Sequence, residues 1–92
     1  MTEEELEEVI QEQRHVLVCL GFDNFEQYLR YKTNAVAGMI KYGDIFVQNL
    51  AYALEHADTK QAVKIINAFR NECTQHELLY RIDQAKKRAA NV

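Results

Sequence analysis

The chain predicts an all-α fold: a compact four-helix domain with a long C-terminal helix and very short turns. Three observations carry that expectation. The 92 residues contain no Pro and only three Gly, far too little punctuation for a sandwich or barrel, which needs many turns. Apolar residues recur at helical rather than alternating spacing. Helix-start signatures also punctuate the chain: Thr2-x-x-Glu5, Asp23-x-x-Glu26 and Asp58-x-x-Gln61.

The first helix is expected at about 3–20. The Thr2 hydroxyl can take an orphan amide of the first turn. Leu6, Val9, Ile10, Val16, Leu17 and Leu20 form the apolar stripe, and Gly21 supplies a left-handed stop. The second is expected at about 24–42, opened by Asp23-x-x-Glu26. It carries Phe25, Tyr28, Leu29, Ala35, Val36, Met39 and Ile40 and ends at Gly43. Along it, large Tyr28, Tyr31 and Tyr42 flank a notch of small residues, Ala35 and Gly38. A glycine inside a helix costs roughly 1 kcal/mol, so a close helix crossing is expected there. The third helix, about 45–57, is capped by Asp44 and turns Phe46, Val47, Leu50, Ala53, Leu54 and Ala57 inward. The fourth, about 59–89, opens with Asp58-x-x-Gln61 and meets no breaker before Ala90. Its inward stripe is Ala62, Ile65, Ile66, Phe69, Cys73, His76 and Tyr80. The 92 residues suit one domain with one core, and short turns favour antiparallel neighbours.

Charge and composition narrow the function classes. Apolar residues are 48% and charged residues 27%, with a net charge of −3; this gives no electrostatic reason for nucleic acid as the main partner. The charge is unevenly placed. Glu3, Glu4, Glu7 and Glu8 make an acidic face at the start, and Arg81, Lys86, Lys87 and Arg88 make a basic end. In an up-down order these two ends would lie together, and each also suits its own helix dipole. No apolar run reaches about 18 residues, and the acidic N-terminus has the wrong sign for a presequence. Cytoplasmic residence is therefore expected, with the two cysteines as thiols.

Cys73 and His76, with His15 and Cys19, form two helix-spaced pairs that invite a zinc reading. On helical wheels Cys73 and His76 face the core, whereas His15 and Cys19 fall opposite the leucines of helix 1. Convergence on one ion at ~2.0–2.3 Å would expose those leucines, so the expectation is no metal and no cofactor. Cys73 then reads as a small buried hydrophobe. His76 reads as a histidine bonded to a backbone carbonyl or Tyr80. A Cys73 nucleophile with His76 as base has no third orienting group and no oxyanion hole. A non-enzyme is expected.

Two stretches exceed what one core can use. Leu78, Leu79, Ile82 and Ala85, continuing to Ala89, form a second stripe on the last helix. A helix apolar on two sides is buried on two sides, so either helix 1 or another chain covers it, and a homodimer is one expectation. On helix 3, Ile45, Tyr52 and His56 line the outer face with Asn49, a candidate interaction ridge.

Residues 43–80 read GDIFVQNLAYALEHADTKQAVKIINAFRNECTQHELLY. An aromatic-Val-x-x-Leu-x-x-Ala-Leu helix is followed by Ala-Asp and a helix with Lys-Ile-x-x-Ala-Phe, at Phe46, Val47, Leu50, Ala53, Leu54, Ala57, Asp58, Lys64, Ile65, Ala68 and Phe69. This resembles small helical proteins of bacteriophage and prophage genomes. The resemblance implies a short accessory protein that binds a host or viral macromolecule, and it carries over no functional residue. The leading expectation is a non-enzymatic binding protein or inhibitor with a protein partner, its acidic helix able to mimic nucleic-acid charge. The alternatives are a dimeric nucleic-acid binder using the basic end and a self-associating assembly protein.

Overall fold

The computed structural model describes residues 2–90; Met1, Asn91 and Val92, the ends of the expected 1–92 domain, lie outside the described residues. Among the described residues the chain forms five α-helices and no strand: α1 Glu3–Leu20, α2 Phe25–Tyr42, α3 Ile45–His56, α4 Thr59–Ala68 and α5 Arg70–Ala90.

The caps are made by short polar side chains. Thr2 Oγ1 accepts from the Glu5 amide at 3.2 Å. Asp44 Oδ1 accepts from the Val47 amide at 2.9 Å. Asp58 and Gln61 form a reciprocal capping box. The second cap differs from expectation. Asn24, not Asp23, is the N-cap of α2, its Oδ1 accepting from the Gln27 amide at 2.9 Å. Gln27 Oε1 in turn accepts from the Asp23 amide, which makes Asn24-x-x-Gln27 the pair that closes the turn. Gly21 ends α1 at φ 79°, the left-handed conformation in which a Cβ is strained.

The expected single helix over 59–89 is broken at Phe69, which leaves helical geometry at φ −123°, ψ 40°. No Pro or Gly stands there. The break serves two different supports: α4 packs against α1 and α3, whereas α5 packs chiefly along α2. Around the break, the Phe69 ring stands edge-on to Phe46 at 5.7 Å. Arg70 Nη2 donates to the Leu20 carbonyl at 2.6 Å, taking up an orphan acceptor of the last turn of α1.

Helix directions also depart from an up-down bundle. The consecutive pair α2 and α3 is antiparallel, with Gln48 Nε2 donating to the Ile40 carbonyl at 3.2 Å and Glu55 near Leu29 and Lys32. The non-consecutive pair α2 and α5 runs parallel. Tyr31 meets Thr74 at 2.7 Å, Gly38 rests on the His76 carbonyl, and Lys41 Nζ meets Asp83 Oδ2 at 2.6 Å. α1 and α4 are parallel as well: Lys60 lies beside Glu12 and His15, and Arg70 reaches Leu20.

That pairing decides what is covered. At 1.5 Å per residue, the ten residues of α4 span about 15 Å against about 27 Å for α1. α4 covers the second half of α1, where Val16 and Leu20 are buried, and leaves the first half bare. Leu6, Val9 and Ile10, expected inward, are exposed. Leu29 and Phe46 are exposed for the related reason that α3 turns Val47, Ala51 and Leu54 to the core and packs mainly on α2. Ala53 is likewise exposed rather than inward. The radius of gyration is 14.8 Å, with extents of 48 × 34 × 22 Å. A compact domain of this length has a radius near 12 Å, so the molecule is more extended than the compact form the sequence suggested. The core itself gathers Val16 and Leu20 with Tyr28, Ala35, Met39, Leu54, Ile66 and Cys73.

Candidate protein-binding faces

The four Cys and His residues do not converge. Among the described residues no group of three or more His, Cys, Asp or Glu side chains is placed to hold a metal ion. His15 and Cys19 lie on the exposed outer side of α1. Cys19 Sγ is 3.7 Å from His15 Nδ1 and 3.6 Å from Nε2. A sulfur equidistant from both nitrogens lies along the in-plane direction of neither, so the contact is a weak one. Cys73 is fully buried in the α5 seam. Burial pushes its thiol up to about 11, which keeps it protonated and poorly nucleophilic at neutral pH. His76 Nδ1 donates to the Glu72 carbonyl at 2.7 Å, one turn back on its own helix. Cys19 and Cys73 are both free thiols.

The α2-facing side of α5 is satisfied. Cys73, His76 and Tyr80 lie against α2, and Glu77 is buried beside them with Oε2 accepting from Arg81 Nε at 2.7 Å. Sequence reasoning missed Glu77, although its i+4 spacing from Cys73 puts it in the same seam. Asp83 bridges helices. Its hydrogen bond to Lys41 holds its carboxyl below the usual carboxylate value, and Lys87 Nζ approaches at 3.5 Å. The reciprocal bond raises Lys41.

The opposite side of α5 is bare. Leu78 is 47% exposed and Ile82 43%, with Leu79 and Ala85 exposed beside them. Helix 1 does not cover this stripe, because α1 is occupied with α4. On α3, Ile45, Tyr52 and His56 are exposed, Ile45 at 79%. The acidic face and the basic end stand apart. Among the described residues no ion pair joins Glu3, Glu4, Glu7 or Glu8 to Arg81, Lys86, Lys87 or Arg88. The expected neighbourhood of these ends fails because the start of α4 meets α1 at its middle, beside Glu12 and His15, whereas α5 runs past the end of α2.

Three of the concavities among the described residues bear on these faces. One between α2 and α3 is mostly apolar, lined by Leu29, Val36 and Ile40 with Lys32 and Glu55 at its edge. One beside α1 is polar, formed by Glu8, Glu12, His15 and Lys60. The third lies at the α2–α5 junction around Tyr31, Thr74 and Glu77. No helix among the described residues is long and apolar enough to cross a membrane. Comparison with protein-family models, with curated proteins and with solved structures finds no match to this chain.

Proposed function

We propose that this chain is a non-enzymatic helical binding protein that works by contact with another protein. One observation carries the reading. α5 is packed on its α2 side, yet it presents Leu78, Leu79 and Ile82 to solvent on the other, rimmed by Arg81, Lys86 and Arg88. An apolar strip with a charged rim is the ordinary anatomy of a protein interface. The resemblance of residues 43–80 to small bacteriophage proteins supports a phage-encoded accessory factor or inhibitor as its setting. The test is paired capture with wild-type and Leu79→Glu/Ile82→Glu baits. A partner retained by the first and absent from the second supports the reading. Equal capture by both sinks it.

Nucleic-acid binding through the basic end is the lesser reading. Arg81 is already paired with Glu77, and Lys87 with Asp83, so half the basic patch is neutralised by its own helix. A flat mobility-shift titration at low salt, where phosphate contacts are strongest, would dispose of it.

A further inference from the structure

Two of the uncovered apolar faces among the described residues have opposite rims. On α5 the bare positions Gln75, Leu78, Ile82, Ala85 and Ala89 are spaced 3-4-3-4, the seam of a helix pair. Arg81 and Arg88 flank the seam on one side, Leu79 and Lys86 on the other. Lys86 and Arg88 make no ion pair among the described residues. On α1 the bare positions are Leu6, Val9 and Ile10, followed by half-buried Gln13. Glu3 and Glu7 flank that strip on one side, Glu5 and Glu12 on the other. None of these four carboxylates is paired among the described residues.

This arrangement argues against α5 meeting a second α5. A parallel pair would set Arg81 against Lys86, and an antiparallel pair would set Arg81 against Arg88; Glu77 offsets part of the Arg81 charge, yet neither pairing brings Lys86 or Arg88 a carboxylate. Like charges across such a seam oppose pairing. An α1 face meets the α5 face with glutamates on both of its flanks opposite the basic rim, Arg14 lying just past the end of the strip. The lengths agree as well: residues 3–13 and residues 78–89 each span about 16–18 Å at 1.5 Å per residue. The two faces do not pair within one molecule, since α4 holds α1 along a different line. They are free to pair between molecules.

Resting on the reading of α5 as a protein-binding face, we infer that its partner is a second copy of this chain. The first three turns of α1 of one protomer lie antiparallel on the 78–89 face of α5 of its partner. The antiparallel direction sets the glutamates against Lys86 and Arg88 and places the N-terminal end of each helix dipole beside the C-terminal end of the other. The contact joins two different faces. It closes as a pair when the return contact also forms, and runs on as a chain when it does not.

The experiment is complementation between two variants, read as mass by sedimentation, with far-UV circular dichroism confirming helix content. Leu6→Gln/Ile10→Gln disables the α1 face, and Leu78→Gln/Ile82→Gln disables the α5 face. All four residues are 41–49% exposed, so neither variant opens the core. Wild type is expected to be dimeric or larger, with the assembly weakening as salt rises. Each variant alone is expected to be monomeric. An equimolar mixture is expected to give a one-to-one pair, because each variant supplies the face the other lacks. Self-association of the α1 variant alone would overturn the inference by showing an α5–α5 contact. A wild type monomeric at all concentrations would also overturn it. That outcome would leave the α5 face available to a different protein, so the proposed binding function would be judged separately by the paired capture.

Discussion

Gly38 of α2 lies directly against the backbone carbonyl of His76 on α5. A methyl placed on Gly38 would overlap that carbonyl oxygen, fall 2.8 Å from the His76 carbonyl carbon and 3.3 Å from Tyr80 Cβ. The two helices of the largest interface in the molecule therefore cross with backbone in contact, and the missing side chain is what permits it. The notch at Ala35 and Gly38 sets the distance between α2 and α5, and through it the position of the bare face on the far side of α5.

Gly38→Ala tests this crossing. In an exposed helix the change would add roughly 1 kcal/mol of stability. Here the new methyl meets backbone, which cannot swing aside as a side-chain tip can, and overpacking of this kind costs about 1–3 kcal/mol or more. Net destabilisation is expected in chemical denaturation. A variant as stable as wild type would show that α2 and α5 are not this close.

The two cysteines should differ in reactivity. Cys19 is exposed and Cys73 is fully buried with its thiol pushed up to about 11. Native protein at pH 8 is expected to take up one alkylating label, at Cys19, and denatured protein two. Labelling of both in the native state, located by peptide mass mapping, would contradict the buried seam.

Cys73 also makes stability depend on alkaline pH. An unfolded thiol ionises near 9.0, whereas the folded one holds its proton to about 11. Between those values the folded chain binds more protons, so stability present below pH 9 falls as pH rises, by roughly 2–3 kcal/mol across the window. Burial raises Tyr28 and Tyr31 above 10.0 in the same direction, which continues the decline. Cys73→Ala should flatten the first part of the curve and leave the tyrosine part. Unfolding free energy measured from pH 8 to 11 on both proteins checks this, and an unchanged slope in the variant would contradict it.

Glu3, Glu4, Glu7 and Glu8 have no ion-pair partner among the described residues. Replacing all four by Gln is therefore expected to leave folding intact within about 1 kcal/mol, since the lost interaction of Glu3 and Glu4 with the helix dipole is offset by relief of the Glu3–Glu7 and Glu4–Glu8 repulsions. It should also weaken any association that uses the acidic face and reduce the salt dependence of that association. Titration of wild type and variant across a salt series reads this directly. Binding that is independent of both salt and these residues would remove α1 from the interface.

Much of the secondary structure is local information. Asp44 and Asp58 cap α3 and α4 because a short carboxylate reaches amides three residues on, and Gly21 ends α1 because only a residue without Cβ enters the left-handed turn at little cost. The Cys73–His76–Tyr80 seam and the outward placement of His15 and Cys19 follow from helical periodicity alone. The notch at Gly38 was visible for the same reason. The break at Phe69 was not, since no residue there opposes a helix; the chain bends because α1 and α2 offer it two differently directed supports. The choice of Asn24 over Asp23 as cap was likewise undetermined, both being capable of it.

The sequence by itself determined most helix ends, the break at Phe69 excepted, and which stripe of each is apolar, because caps and periodicity act within a few residues of one another. Only the tertiary structure decided which apolar stripes are covered. That depends on a short α4 lying parallel to a longer α1, and on α5 following α2 rather than α1, relationships between elements far apart in the chain. Leu6, Val9 and Ile10 look like core residues in the sequence and stand exposed in the fold for that reason. Leu78 and Ile82 stand exposed for the same reason, on the face of α5 that α1 does not reach.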